Sequence, residues 1–136
     1  MATDNLLTRG QLERKLSQGI QAFYREHLGH QPSKVICQLF EAKLAVIVEN
    51  SITNAEQILI DEGKNDLAET VRSNLDDVLK PRLVKLIETI TEMKVLDILS
   101  DATIDTGRTG VIAVFQSTPQ VINPNTIPKV KNQVNS

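Results

Sequence analysis

Four groups of residues in this chain have types and spacings that chemistry could use. In "NSITNAEQILIDEG", residues 50–63, Thr53 and Glu56 could serve as a nucleophile and its base. No histidine or lysine stands close in sequence to complete such a site, whereas T-x-x-E ahead of Ile58, Leu59 and Ile60 is the pattern that starts a helix. There the hydroxyl accepts from the third helical amide and the carboxylate reaches back to the amide of the threonine. The spacing therefore predicts that Thr53 and Glu56 form a cap.

The other three groups also have a plainer reading. Asp97, Asp101 and Asp105 recur every four residues, but on an extended strand that step is about 13 Å, too long for one ion to bridge. His27 and His30 are the only histidines, Gly29 interrupts the helical geometry between them, and zinc would need further ligands. They read as surface residues, with no metal site. The single Cys37 alternates with Val35 and Leu39 and so reads as a buried, inert thiol. The phosphate-binding and dinucleotide-binding glycine motifs and the C-x-x-C pair do not occur. No catalytic constellation results and no cofactor is called for.

These residues ride on a legible order of elements. Leu12, Leu16, Ile20, Phe23 and Leu28 give an amphipathic helix opened by a Thr8–Gln11 capping box and stopped at Gly29. Pro32 then fixes a turn. "VICQLF" and "KLAVIVEN" are short, rich in β-branched residues and read as a hairpin. After the Thr53 cap comes a short helix to Gly63, then a long helix whose stripe is Leu67, Val71, Leu75, Val78, Leu83, Leu86, Ile90 and Met93. Pro81 inside that stripe predicts a kink or break near Val78–Pro81. "KVLDILSDATID" and "GVIAVFQS" form a second hairpin. The expectation is an α+β fold, with an antiparallel sheet packed on helices.

The chain has 136 residues, enough for one domain; its 40% hydrophobic and 3% aromatic residues predict an aliphatic core. Residues 8–117 are expected to form that domain, with 1–7 a flexible N-terminus and 118–136 a flexible tail rich in proline and asparagine. "TIPKV" in the tail is a possible short linear motif. A formal charge of -2 disfavours nucleic-acid binding, and no stretch approaches the roughly 20 apolar residues of a spanning helix. The lone cysteine and the absence of an apolar leader predict a cytoplasmic protein.

The strings "HLGHQPSKV", "NSITNAEQIL", "ETVRSNL" and "LSDATIDTGRTGVIAVF", in this order, resemble the MpsC-like family over residues 8–117. One departure is Gln31, where the family's turn usually carries glycine. The resemblance implies a small cytoplasmic protein linked to a membrane system that moves cations or takes up inorganic carbon, with larger subunits doing the transport and no catalytic residues in this one. Its signature positions fall on Pro32, Thr53, Glu56, Arg72 and Asp101. Pro32, Thr53 and Glu56 read as turn and cap. Arg72 lies beside the apolar stripe and is expected to pair with a carboxylate such as Asp101, and these two are the candidate binding residues.

The expected function is a non-catalytic accessory or regulatory binding protein of a membrane cation or bicarbonate transport system, acting as a homodimer with a membrane transport subunit as partner. The alternative is a dimeric sensor of a small ligand or nucleotide. The long helix and the sheet offer more apolar surface than one short helix can cover, which is the reason for expecting a twofold dimer.

Overall fold

A computed structural model describes residues 6–129. Helix α1 (Arg9–Leu28) leads into strands β1 (Lys34–Phe40) and β2 (Lys43–Glu49), helices α2 (Asn54–Asp61) and α3 (Asn65–Thr91), and strands β3 (Val95–Thr103) and β4 (Arg108–Phe115). The order and the α+β class are those expected from the sequence. The two hairpins join through their inner strands into one antiparallel sheet of order β1-β2-β4-β3.

Local sequence explains where the helices begin and end. Thr8 Oγ1 accepts from the Gln11 amide at 3.1 Å while Gln11 Oε1 accepts from the Thr8 amide at 2.9 Å. Gly29 closes α1 in the left-handed region, at φ 63°, which a residue without Cβ adopts at no cost.

One face of the sheet carries the core. Cys37 and Leu39 of β1, Leu44, Val46 and Val48 of β2, and Val111, Ala113 and Phe115 of β4 are buried against Leu12, Leu16, Ile20 and Phe23 of α1 and Leu83 and Ile87 of α3. The helices approach closely where α1 has Gly19: a Cβ there would stand 2.7 Å from Ile90 Cδ1. The core is aliphatic, as the composition predicts.

One expectation needs correction and another is narrowed. The stripe holds for the second half of α3 but not the first, where Leu67 and Val78 are exposed at 48% and 61%. The residues facing inward there are Ala68 and Arg72, so the buried face lies one position further along and carries a charge. Of the kink or break expected at Pro81, the break is excluded, since the helix runs continuously from Asn65 to Thr91.

Residues 118–129, taken from the sequence as part of a tail, lie back on the domain. Val121 and Ile127 belong to the core, Thr8 and Ile122 form a parallel bridge, and the Ile122 amide donates to the Leu7 carbonyl at 2.8 Å. The Glu41 amide donates to the Pro128 carbonyl at 2.7 Å. Residues 1–5 and 130–136, included in the expected flexible ends, lie outside the described residues, as does Val130 of "TIPKV".

Candidate functional site

The interior of the domain holds one polar network, assembled from five elements around Arg72. Its Nη2 donates to Glu56 Oε1 at 2.6 Å and to the Ser51 carbonyl at 2.7 Å, and its Nε donates to Glu56 Oε2 at 2.8 Å. This is the two-toothed geometry that a planar guanidinium offers a carboxylate. Arg72 and Glu56 are 2% and 1% exposed, so the pair is fully desolvated. Asp76, one helical turn beyond Arg72, adds a longer contact of 3.5 Å to Nη1.

The cap and the ion pair share an atom. Glu56 Oε1 accepts from the Thr53 amide at 3.0 Å and from Thr53 Oγ1 at 2.7 Å, in addition to Arg72. The expected capping box is present, and it also orients the carboxylate for the arginine. Both oxygens of Glu56 are thereby occupied in a dry interior, which removes it as a catalytic base. The network extends through Ser51, whose Oγ lies 2.8 Å from Thr109 Oγ1, and Tyr24 of α1 lines the same hollow as Asp76 and Thr109.

The charges settle according to these partners. Burial alone would push the Glu56 carboxyl up, but the hydrogen bonds from Arg72 and Thr53 and the charge of Arg72 outweigh it and hold it below the usual carboxylate range. Burial likewise opposes the charge on Arg72, and Glu56 and Asp76 more than restore it. Asp76 goes the other way: burial raises it, Arg72 opposes, and the neighbouring carboxylates of Glu56 and Asp77 add to the rise. Tyr24 is pushed up by burial and by Asp76.

The expected Arg72–Asp101 pair is not formed. Asp101 is exposed on β3, and its Oδ1 accepts from the Ala102 amide at 2.9 Å. Arg72 chooses Glu56 because the start of α2 packs directly on α3. Arg72 and Asp101 do share a cleft of about 380 Å³ between α3 and β3. Glu69 and Asp77 give it an acidic, exposed rim and Lys80 supplies the opposing charge, while Asp101, in register with Gly110, turns its side chain to the face of the sheet away from the helices. Pro32 stands apart from the cleft; it is buried, and its carbonyl accepts from Gln21 Nε2 at 2.9 Å.

Other candidates take plain roles. The His27 ring lies against Phe23 with centroids 4.4 Å apart, whereas His30 Nε2 lies 2.7 Å from the Asn50 carbonyl. Among the described residues no three of His, Cys, Asp or Glu gather in a way that could hold a metal ion. Burial pushes the Cys37 thiol up to about 11, so it stays protonated and unreactive at neutral pH.

Sequence reasoning did not single out Ser51, Tyr24, Asp76 or Thr109. Only Asp76 left a signal, as the i+4 partner of Arg72. Comparison with curated proteins finds no match, and comparison with solved structures finds none. Residues 8–117, which contain the capped helices, both hairpins and the Arg72 network, match the family described as "Na+-translocating membrane potential-generating system (MpsC)", and the chain belongs to that family.

Proposed function

We propose that this protein is a non-catalytic accessory or regulatory component of a membrane cation or bicarbonate transport system, working from the cytoplasmic side through a protein partner. Family membership is the observation that carries this reading, because the family description names a system that translocates Na+ and generates membrane potential. Among the described residues no helix is long and apolar enough to cross a membrane, so contact with that system runs, on this reading, through another subunit.

The charge on the cleft supports the same direction. Its rim is acidic, and the cytoplasmic loops of membrane proteins carry an excess of lysine and arginine. A basic loop laid across Glu69 and Asp77 would meet opposite charge, with buried Arg72 holding the wall behind it. The test is recovery of a membrane transport subunit from solubilised membranes on tagged protein. Wild type should recover it, and the Glu69→Lys, Asp77→Lys double variant should recover several-fold less while melting as cooperatively. Recovery of no transport subunit by the wild type would overturn the reading.

A sensor of small ligands is the second reading, favoured by the size of the cleft, which lies in the range of ligand pockets. Its carboxylates repel a nucleotide and would suit a cation or an amine. A strong rise in melting temperature with such a compound would replace the first reading. Both readings take the protein to be a twofold homodimer.

A further inference from the structure

The sheet ends in two edge strands, β1 and β3, and they differ. The β1 edge is closed: α1 packs along it, and the outward Leu39 amide donates to Glu13 Oε2 at 2.8 Å. The β3 edge is blocked only towards its ends. There the Val95 amide donates to Glu88 Oε2 and the Ala102 amide to Asp101 Oδ1, both at 2.9 Å. Outward amides alternate along a strand, so Ile98 and Ser100 point the same way as Ala102, and among the described residues neither has an acceptor. The strand carries no proline and no lysine, and its bulge, between Val95 and Asp97, precedes the open stretch. Natural sheets normally protect such an edge with one of these devices.

Both sides of the open stretch are acidic. The register puts Ile98, Ser100 and Ala102 on the helix side of the sheet, beside the cleft, and Asp97, Leu99 and Asp101 on the other side. Leu99 is 56% exposed, and among the described residues no lysine or arginine pairs with either aspartate. In the cleft Lys80 reaches Asp77 only at 4.0 Å and leaves Glu69 unmatched. A strand added here would alternate in the same way. Its residues on the helix side would look into the cleft towards Glu69 and Asp77, and those on the other side would stand about 5 Å from Asp97, Leu99 and Asp101.

We propose that the open edge of β3 takes an extended cationic segment of the protein partner as an additional strand, with lysine or arginine beside Asp97 and Asp101 and an apolar residue beside Leu99. This rests on the reading of the cleft as the seat of a basic loop, and adds the loop's conformation, its main-chain hydrogen bonds and its sequence pattern. Main-chain bonds to Ile98 and Ser100 supply the affinity, and the alternating side chains choose the partner. Charge decides against the other strand at hand, a second β3. Pairing two copies brings four uncompensated carboxylates to one seam, and in the register centred on Leu99 it sets Asp97 directly opposite Asp101, which is destabilising.

The test uses the full chain and a capped peptide of about seven residues, a strand's usual length, with two lysines four positions apart, valine midway between them and threonine elsewhere. Bound, it should slow hydrogen exchange at the Ile98 and Ser100 amides. A copy N-methylated on either side of the valine, and a copy with glutamate in place of lysine, should each bind about tenfold more weakly or worse. Asp97→Lys with Asp101→Lys should reverse the preference in favour of the glutamate peptide. Ser100→Pro removes an outward amide where an edge strand tolerates proline, and should abolish both peptide binding and recovery of the membrane subunit with the melting transition retained. If that variant fails to fold, the N-methylated peptide decides instead.

A peptide that does not bind, that leaves the Ile98 and Ser100 amides unprotected, or that binds equally when N-methylated overturns the added strand. A peptide that seats on the edge while wild type recovers no membrane subunit upholds the strand site and overturns the transport reading. A subunit recovered equally by Ser100→Pro but lost by Glu69→Lys, Asp77→Lys occupies the cleft alone, and the strand is overturned.

Discussion

Glu56 Oε1 is bonded at once to Arg72 Nη2, at 2.6 Å, and to the amide of Thr53, at 3.0 Å. One carboxylate thus caps α2 and neutralises an arginine on α3, so the start of one helix fixes the rotation of the next.

Glu56→Gln should cost about 3–5 kcal/mol in urea-induced unfolding, because it leaves Arg72 charged, dry and without its counter-ion. A cost below about 1 kcal/mol would mean that the pair is not desolvated as described.

Thr53→Ala removes the hydroxyl of the capping box but leaves the Arg72–Glu56 contacts in place. Its expected cost is about 1 kcal/mol, the usual value for an N-cap, with partner recovery unchanged. Loss of recovery at unchanged stability would show that Thr53 touches the partner.

Glu56 and Asp76 give opposite signs of pH dependence. Glu56 is held low, so its contribution is full above the ordinary carboxylate value and is lost as pH falls through its depressed folded value. Asp76 is held high, so the folded state takes up its proton first, and its contribution falls as pH rises from the ordinary value through the raised one. Asp76→Asn should therefore be more stable than wild type at pH 7, with the gap closing by about pH 3. Denaturant midpoints at the two pH values check this, and a less stable variant at pH 7 would reverse the sign assigned to Asp76.

Pro81→Ala should stabilise α3 by about 1–3 kcal/mol, since it restores an amide donor and removes a ring from the interior of a continuous helix. A variant that is stabilised yet fails in membrane-subunit recovery would identify the proline as kept for function.

What the sequence made legible was local. The two capping boxes, the glycine stop after α1 and both hairpins follow from residues a few positions apart. The first half of α3 was misread because apolar periodicity selects Leu67 and Val78, whereas the space behind that half is filled by a guanidinium paired sixteen residues back in the chain. Nothing in a stripe of leucines announces that partner. The docking of Val121 and Ile127 was invisible for a related reason: it depends on Leu7 and Thr8, more than a hundred residues away. The cleft around Asp101 was half legible, with its two flanking residues named correctly but their bond assigned wrongly.

The bridge between Thr8 and Ile122 nearly closes the backbone into a ring. A ring has no privileged starting point. The fold should survive circular permutation, with residues 6 and 129 joined by a flexible linker and new ends opened in the exposed Asp105–Thr106 stretch of the β3–β4 turn. In such a permutant the hydrogen bond from Ile122 to Leu7 would span a few residues of linker instead of the whole domain, and α1 would be anchored by a short-range contact.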